Sequence, residues 1–443
     1  MEFLRSFYLS RRFFAVVAAL VAGFILAQLL SALLAPMQTA VLLLSVLAAL
    51  DALLLFLPRG SVKATRLVPE KLSIGDPNSI TITIVNNYRY GLSGIVIDEV
   101  PAVFQIRDFR LPFSLASGKS IALTYTLRPL QRGDYVFGAV NVFGSTPLGL
   151  VRRRYRFDQE AHCLVYPSIV QMRKYELFAI SDRLTEAGVK KIRRLGHTFE
   201  FDHIRNYVRG DDHRSINWKA TARRQKVMVN QFQDEKAQQV FSVLDMGRSM
   251  KMPFNGLSLL DYAINASLVI SNIAIHKHDK AGLITFAQDV QSMLPASSQY
   301  GQMHRILHTL YMQHTHFLES DIERLCAVIS HQVKQRSLLL LFTNAETLVG
   351  MQRRMIALKR LNRSHTLVVI MFENSELSAM VEQHAKNAEQ VYAKMVAEKL
   401  MHEKRQIVKE LHLHGIQSML VAPDQLTIET INMYLELKAR GLA

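Results

Sequence analysis

The sequence predicts a multidomain chain that combines a two-helix transmembrane hairpin, an antiparallel β-sandwich of immunoglobulin-like type and a doubly wound α/β domain. Three observations predict it: two long apolar runs before residue 58, period-2 alternation between residues 61 and 165, and apolar strands alternating with helical stretches after residue 237. The expected divisions are 1–58 for the anchor, 59–165 for the sandwich, 166–236 for a basic joint and 237–443 for the α/β domain. A length of 443 residues allows two to four domains, each able to bury its own core.

The first apolar run starts at Phe13, "FFAVVAALVAGFILAQLLSALLA", and the second, "TAVLLLSVLAALDALLLFL", follows "PMQ". Each is about the 20 residues that a helix needs to cross ~30 Å of hydrocarbon. A secretory signal competes for the first run, but its apolar core would be too long and a second run follows at once. Arg5, Arg11 and Arg12 precede the pair, Arg59, Lys63 and Arg66 follow it, and the connection near Pro36 carries no charge. By the positive-inside rule both termini are then cytoplasmic, with the basic surface facing anionic lipids. Asp51 is the one carboxylate inside a run, six residues before its end, and is expected to reach interfacial water.

Between residues 61 and 165, "SITITIVNN", "KSIALTYTL" and "GDYVFGAVNVFG" alternate apolar and polar residues and are bounded by Gly, Asn, Pro or Ser. Such short alternating runs read as antiparallel strands of a sandwich. Gly133, Gly138, Gly144 and Gly149 are expected at turns and bulges. Cys163 and Cys326 have no partner pattern, which excludes a disulfide scaffold or a Cys-based zinc site and reads as two small core residues.

With 53 Lys and Arg against 37 Asp and Glu the chain carries +16, enough to attract an anionic leaflet, a nucleic acid or an acidic protein. Half of that charge lies in residues 151–224, where 17 bases face nine acids. The joint ends in "FEFDHIRNYVRGDDHRSINWKATARR", Phe199 to Arg224. Here acids interrupt bases: Glu200 and Asp202 precede Arg205, and Asp211 and Asp212 precede Arg214, the pattern of bidentate ion pairs rather than of an unopposed phosphate-binding run. Gly210 suggests a turn and Ser215 a helix cap, with Trp218 expected as a buried anchor. Arg205, Tyr207, Arg209, Asp211, Asp212, Arg214, Trp218 and Arg223 are therefore the candidate residues of an interdomain clamp or of a partner-docking surface, since Arg and aromatic residues dominate interface hot spots. Nucleic-acid binding uses the same basic and aromatic mixture and gives the alternative reading, a membrane-tethered nucleic-acid binder. Asp211 and Asp212 as a catalytic pair lack a positioned base or nucleophile, and the chain is read as non-catalytic.

After Lys236 come "QQVFSVLDM", a helical stretch from Leu259, "AGLITFA", "SLLLLFTN", "HTLVVIMF" and "IQSMLVA" with helices between them, as in a mostly parallel sheet covered on both faces. Such sheets bind ligands beyond the carboxyl ends of their strands, which draws attention to "LDMGRSM", Leu244 to Met250. No GxxxxGK[ST] and no GxGxxG occurs, so nothing supports nucleotide binding. "HTH" at 314–316 and "HLH" at 412–414 lack other ligands at zinc-like spacing.

The order of these parts, with "RGDYVFGAVNVFGSTPLGLVRRR", "VYP", the Phe199 to Arg224 block and "VLDMGRSM", resembles the bacterial domain of unknown function 58 family over nearly the whole chain after the anchor. The resemblance implies that the last domain is similar to a von Willebrand factor A domain and that the protein acts beside a MoxR-type AAA+ ATPase as an adapter. It also implies an adhesion-type metal site at Asp245, Gly247, Ser249, Thr315 and Asn344, from the family pattern DxSxS, a threonine and a late aspartate. Gly247 and Asn344 depart from that pattern, removing one hydroxyl and one carboxylate. A rim that binds protein without metal is the expectation, with Mg²⁺ as the alternative occupant.

Overall fold

The computed structural model describes residues 5–57, 61–106, 109–180, 200–208, 211, 213–233, 237–382, 384–385 and 387–441. It divides into two compact units, Met1–Tyr166 and Pro167–Ala443.

The first unit opens with a short strand, β1 (Phe7–Leu9), and two apolar helices, α1 (Arg11–Ala27) and α2 (Leu34–Phe56). Ser10 caps α1 by accepting the Phe13 N–H at 3.2 Å. The connection falls at residues 28–33 rather than at Pro36, which sits in the first turn of α2. A proline is tolerated there because its missing N–H would have no helical partner. Two described helices are long and apolar enough to cross a membrane, Leu34–Phe56 and Leu259–His276. Only 11% of the first one's apolar window is buried against 78% of the second's. The second is thus a core helix of the other unit, and α2, apolar on every side, is the membrane candidate.

Strands β2 (Val62–Leu67), β3 (Lys71–Ser73), β4 (Asn78–Asn86), β5 (Leu92–Asp98), β6 (Leu111–Leu115), β7 (Ser120–Leu127), β8 (Gly133–Phe137), β9 (Val140–Ser145), β10 (Val151–Phe157) and β11 (Ala161–Tyr166) complete this unit. They form sheets ordered β1-β10-β9-β5-β6, β2-β4-β7 and β3-β11-β8, every described pairing antiparallel except β3 with β11. Alternation in β4 buries Ile80, Ile82 and Ile84 while Thr81 faces outward to Thr124. The run "GDYVFGAVNVFG" is two strands in two sheets, broken at Gly138 and Ala139. Gly149 turns the chain at φ +68°, a left-handed conformation that favours glycine.

Two sequence expectations fail in this unit. Asp51 does not reach water: it is fully buried, Oδ1 accepts the Thr146 hydroxyl, and Oδ2 accepts the backbone N–H groups of Leu150 and Val151, both at 2.8 Å. A buried carboxylate needs such partners, and three donors saturate it. The end of α2 is capped in the same way. Tyr88 and Arg153 donate to the Leu55 carbonyl at 2.9 and 2.7 Å, and the Tyr90 hydroxyl donates to Leu54. These bonds satisfy carbonyls that a helix terminus leaves orphaned. Arg66 is no leaflet-facing charge either; it is buried in an ion pair with Asp98, whose other oxygen accepts the Tyr125 hydroxyl.

The second unit starts with α3 (Ile169–Ile180), followed by β12 (Glu200–Asn206), α4 (Trp218–Arg224) and β13 (Met228–Gln233). Then come β14 (Gln239–Asp245), a small hairpin of β15 (Pro253–Phe254) and β16 (Leu257–Ser258), and α5 (Leu259–His276). The remainder is β17 (Lys280–Phe286), β18 (Val290–Ser297), α6 (Gln302–Tyr311), α7 (Ile322–Gln332), β19 (Leu338–Phe342), α8 (Leu348–Ser364), β20 (Thr366–Phe372), α9 (Ser375–Glu382), α10 (Ala388–Leu413), β21 (Gln417–Val421) and α11 (Leu426–Ala439). Six strands form one sheet, β18-β17-β14-β19-β20-β21, parallel except for the edge strand β18. Leu338, Leu340 and Phe342 face α5, α6 and α11, whereas Leu339 and Leu341 face α7, α8 and α10. Burial on both faces explains why these strands read as unbroken apolar runs. Ser258 and Asp261 form a capping box that starts α5.

Candidate functional site

Two clusters in the second unit hold the candidate residues. The first is the hairpin of β12 and β13 with α4 in its loop. Arg205 grips Asp211 with both guanidinium nitrogens, at 2.9 and 2.7 Å, and Asp211 also accepts the Val208 N–H at 2.9 Å. The Arg205 bonds hold the Asp211 carboxyl below the usual range. Tyr207 stacks on His213 with ring centroids 6.0 Å apart. Asn217, not Ser215, caps α4: its side chain accepts the Ala220 N–H at 3.0 Å and donates to Asn230 across the hairpin at 2.8 Å. Thr221 accepts the Met228 N–H at 3.0 Å and closes the loop.

Trp218 is the correction here. Instead of lying beneath the ion pairs it is 71% exposed, because a cap at Asn217 places it at the first helical position and the turn carries it outward. Arg223 is exposed on the same short helix. Arg209 and Asp212 lie outside the described residues, as does the side chain of Arg214. The cluster therefore presents an indole and cations on a platform held by polar bonds. Asn217, Thr221 and Asn230 do that holding, and only the cap-forming residue types hint at them in the sequence.

The second cluster lies where the order of the parallel sheet switches direction, at the carboxyl ends of β14 and β19. Asp245, fully buried, accepts the Gly247 N–H at 2.8 Å and the Ser320 hydroxyl on Oδ1, and the Thr343 hydroxyl at 2.6 Å on Oδ2. Thr315 donates to the Met246 carbonyl at 2.6 Å and accepts the Phe317 N–H at 3.0 Å. Asn344 donates to the Ser249 carbonyl at 3.2 Å, and its Oδ1 accepts from the Lys404 ammonium at 2.9 Å. Lys404, reaching in from α10, also donates to the Phe372 carbonyl at 2.5 Å, and burial lowers its pKa.

The structure thus brings Asp245, Ser249, Thr315 and Asn344 to one rim, but Asp245, Thr315 and Asn344 spend their donors and acceptors on neighbouring protein groups, only the bond from Asn344 to the Ser249 carbonyl joining two of the four. A Cβ built on Gly247 would overlap the Ser320 hydroxyl, so Ser320 supplies from another loop the group that position 247 lacks. These residues do not fit a divalent cation: the single carboxylate already accepts three hydrogen bonds, and Asn344 faces an ammonium. Among the described residues no group of three His, Cys, Asp or Glu side chains could hold a metal. Ser320, Thr343 and Lys404 escape sequence reasoning because they lie 75 to 159 residues from Asp245 and belong to no spaced motif.

Beside this rim opens a cavity of about 250 Å³, lined by Arg248, Ser249, Glu319, Asn344, Glu346 and Arg354 among others. It adjoins a shallower one of about 490 Å³ that shares Glu319, Ser320 and Arg354. Both cysteines are buried and free, as expected, and burial pushes the Cys163 thiol up to about 11.

The family model described as "Protein of unknown function DUF58" matches residues 203–399, a span that contains the candidate residues of both clusters but ends before Lys404. The chain is 28% identical over 203 residues to an uncharacterized protein, YeaD, of Bacillus subtilis, a match covering 44% of this chain and 50% of the relative. This chain therefore spans about half the length of that relative. Among solved structures, a conserved hypothetical protein BatB from Bacteroides thetaiotaomicron is 14% identical, covering 46% of this chain and all of that one at a TM-score of 0.29. A PapD-like domain of human CEP192 is 14% identical, covering 24% of this chain and 86% of that one at a TM-score of 0.18. Likeness at these scores supports no inference about this chain.

Proposed function

The chain belongs to the domain of unknown function 58 family, and from that premise we propose that it is a non-catalytic membrane adapter that holds a protein partner, a MoxR-type AAA+ ATPase, during assembly or maturation of other proteins. In this reading α1 and α2 are the two spans of a hairpin in a bacterial cell membrane, with both termini cytoplasmic and the +16 chain facing anionic lipids. The β-rich part of the first unit serves as an immunoglobulin-like spacer. The six-stranded unit serves as a von Willebrand factor A-like domain whose carboxyl-end rim faces the partner.

The observation that carries the reading is the exposed Trp218. A tryptophan used only as a clamp belongs inside, whereas one presented on a braced platform with Arg223 has the composition of an interface hot spot. The open cavity beside Arg248 and Arg354 gives the rim a second place to grip.

The test is affinity capture of the detergent-solubilised full chain, with AAA+ ATPase expected in the recovered material. Trp218→Ala is expected to weaken recovery about tenfold or more, the effect of losing a hot spot of about 2 kcal/mol. Undiminished recovery with Trp218→Ala and with Arg205→Ala would reduce the platform to a structural element. Binding of DNA or RNA that weakens steeply with salt would instead favour a nucleic-acid role for residues 151–224.

A further inference from the structure

We infer that the ammonium group of Lys404 is the resident cation of the carboxyl-end rim, occupying the role that an A-domain gives to a divalent ion, so that the rim works without metal. The inference rests on the A-domain-like reading above and adds how the rim achieves its charge balance.

Four observations support it. The Lys404 Nζ binds two neutral oxygens, Asn344 Oδ1 and the Phe372 carbonyl, from the ends of the neighbouring strands β19 and β20. These are the kind of oxygen ligands that a hard cation takes. Asn344 holds the place of the late aspartate, and its amide nitrogen in turn binds the Ser249 carbonyl, so one side chain links the ammonium to the loop after β14. An aspartate there would present no donor to Ser249; the amide serves both neighbours at once. Asp245 has turned away from any ion, accepting three protein donors, with Ser320 standing in the space that a side chain at position 247 would need. An added divalent ion would find Asp245 the single carboxylate among the candidate ligands, already saturated by three protein donors, while the Lys404 ammonium, flanked by Glu346 and Glu373, already supplies positive charge there.

The role can be distinguished from that of an ordinary packing lysine by asking whether a divalent ion can replace it. Titration of the full-length protein in detergent with MnCl₂, followed by calorimetry and thermal unfolding, is expected to show no saturable binding by the wild type and no Tm change between Mn²⁺ and EDTA. Asn344→Asp combined with Lys404→Ala is expected to bind one Mn²⁺, with Tm rising by about 5–10 °C at ~100-fold excess over Kd. Saturable Mn²⁺ binding by the wild type, or a folded double variant blind to Mn²⁺, overturns the inference. Should the double variant fail to fold, Lys404→Gln decides instead, since it keeps a donor for Asn344 but removes the charge; Mn²⁺ binding no tighter than wild type overturns the inference. No partner protein enters this assay, so its failure leaves the adapter reading to its own capture experiment.

Discussion

Replacing Asp51 by Leu should unlatch α2 from the strands that follow it. The change leaves three donors, the Thr146 hydroxyl and the Leu150 and Val151 N–H groups, in a buried site with no acceptor. Each unsatisfied donor costs about 1–3 kcal/mol, and partial relaxation toward water brings the sum to about 3–6 kcal/mol. For a unit of this size that is a Tm loss of about 10 °C or more, read by thermal unfolding of the full chain in detergent. Asp51→Asn is the control that tests the geometry. Its amide oxygen can still accept the two backbone N–H groups, while its nitrogen donates to a Thr146 hydroxyl that has rotated to accept, so the loss should stay near about 1 kcal/mol. Equal, small effects of both substitutions would mean that the carboxylate is solvated, and the latch argument would be wrong.

Three further outcomes follow from the same contacts. Arg205→Ala should return the Asp211 carboxyl to the ordinary range, followed by its side-chain carbon signal in an NMR titration. Because the folded value is depressed, the support that this pair gives the hairpin is present above the unfolded value of about 3.9 and is lost as pH falls through the folded one. Gly247→Ser should lower stability by about 1–3 kcal/mol in chemical unfolding, since the new side chain collides with Ser320, and should create no metal site. Cys163 and Cys326 should react with a thiol reagent only on unfolding, as both are buried and burial raises both thiols; rapid labelling of the native protein would contradict this.

Much of the architecture was legible because it rests on periodicity. The isoleucines of β4 repeat every second residue, and Leu338–Phe342 is apolar throughout because helices cover both its faces. The mixed acids and bases of the 199–224 block suggested bidentate ion pairs, but grouped Arg205 with Glu200 and Asp202 and Asp211 with Arg214, whereas the structure pairs Arg205 with Asp211. What stayed hidden depends on contacts distant in sequence. Asp51 meets its partners 95 to 100 residues later, and Lys404 meets Asn344 across 60, separations that leave no spaced pattern. Arg66 looked like a topology signal because nothing in the sequence marks Asp98 as its buried partner. Trp218 was misplaced for a local reason: a cap two residues later than expected rotates the indole to the outside.

The pairing of β1 with β10, in register from Phe7 opposite Arg153 to Leu9 opposite Val151, has a practical corollary. The short strand ahead of the first helix acts as a selvedge, closing a sheet border whose amides would otherwise recruit strands from neighbouring molecules. Trimming the greasy segment to make the rest of the protein easier to handle would remove this hem and, in the same cut, strip Tyr88 and the 146–151 loop of the groups they hold. A preparation made that way would clump through the damage done to it, and its behaviour would say little about the intact chain.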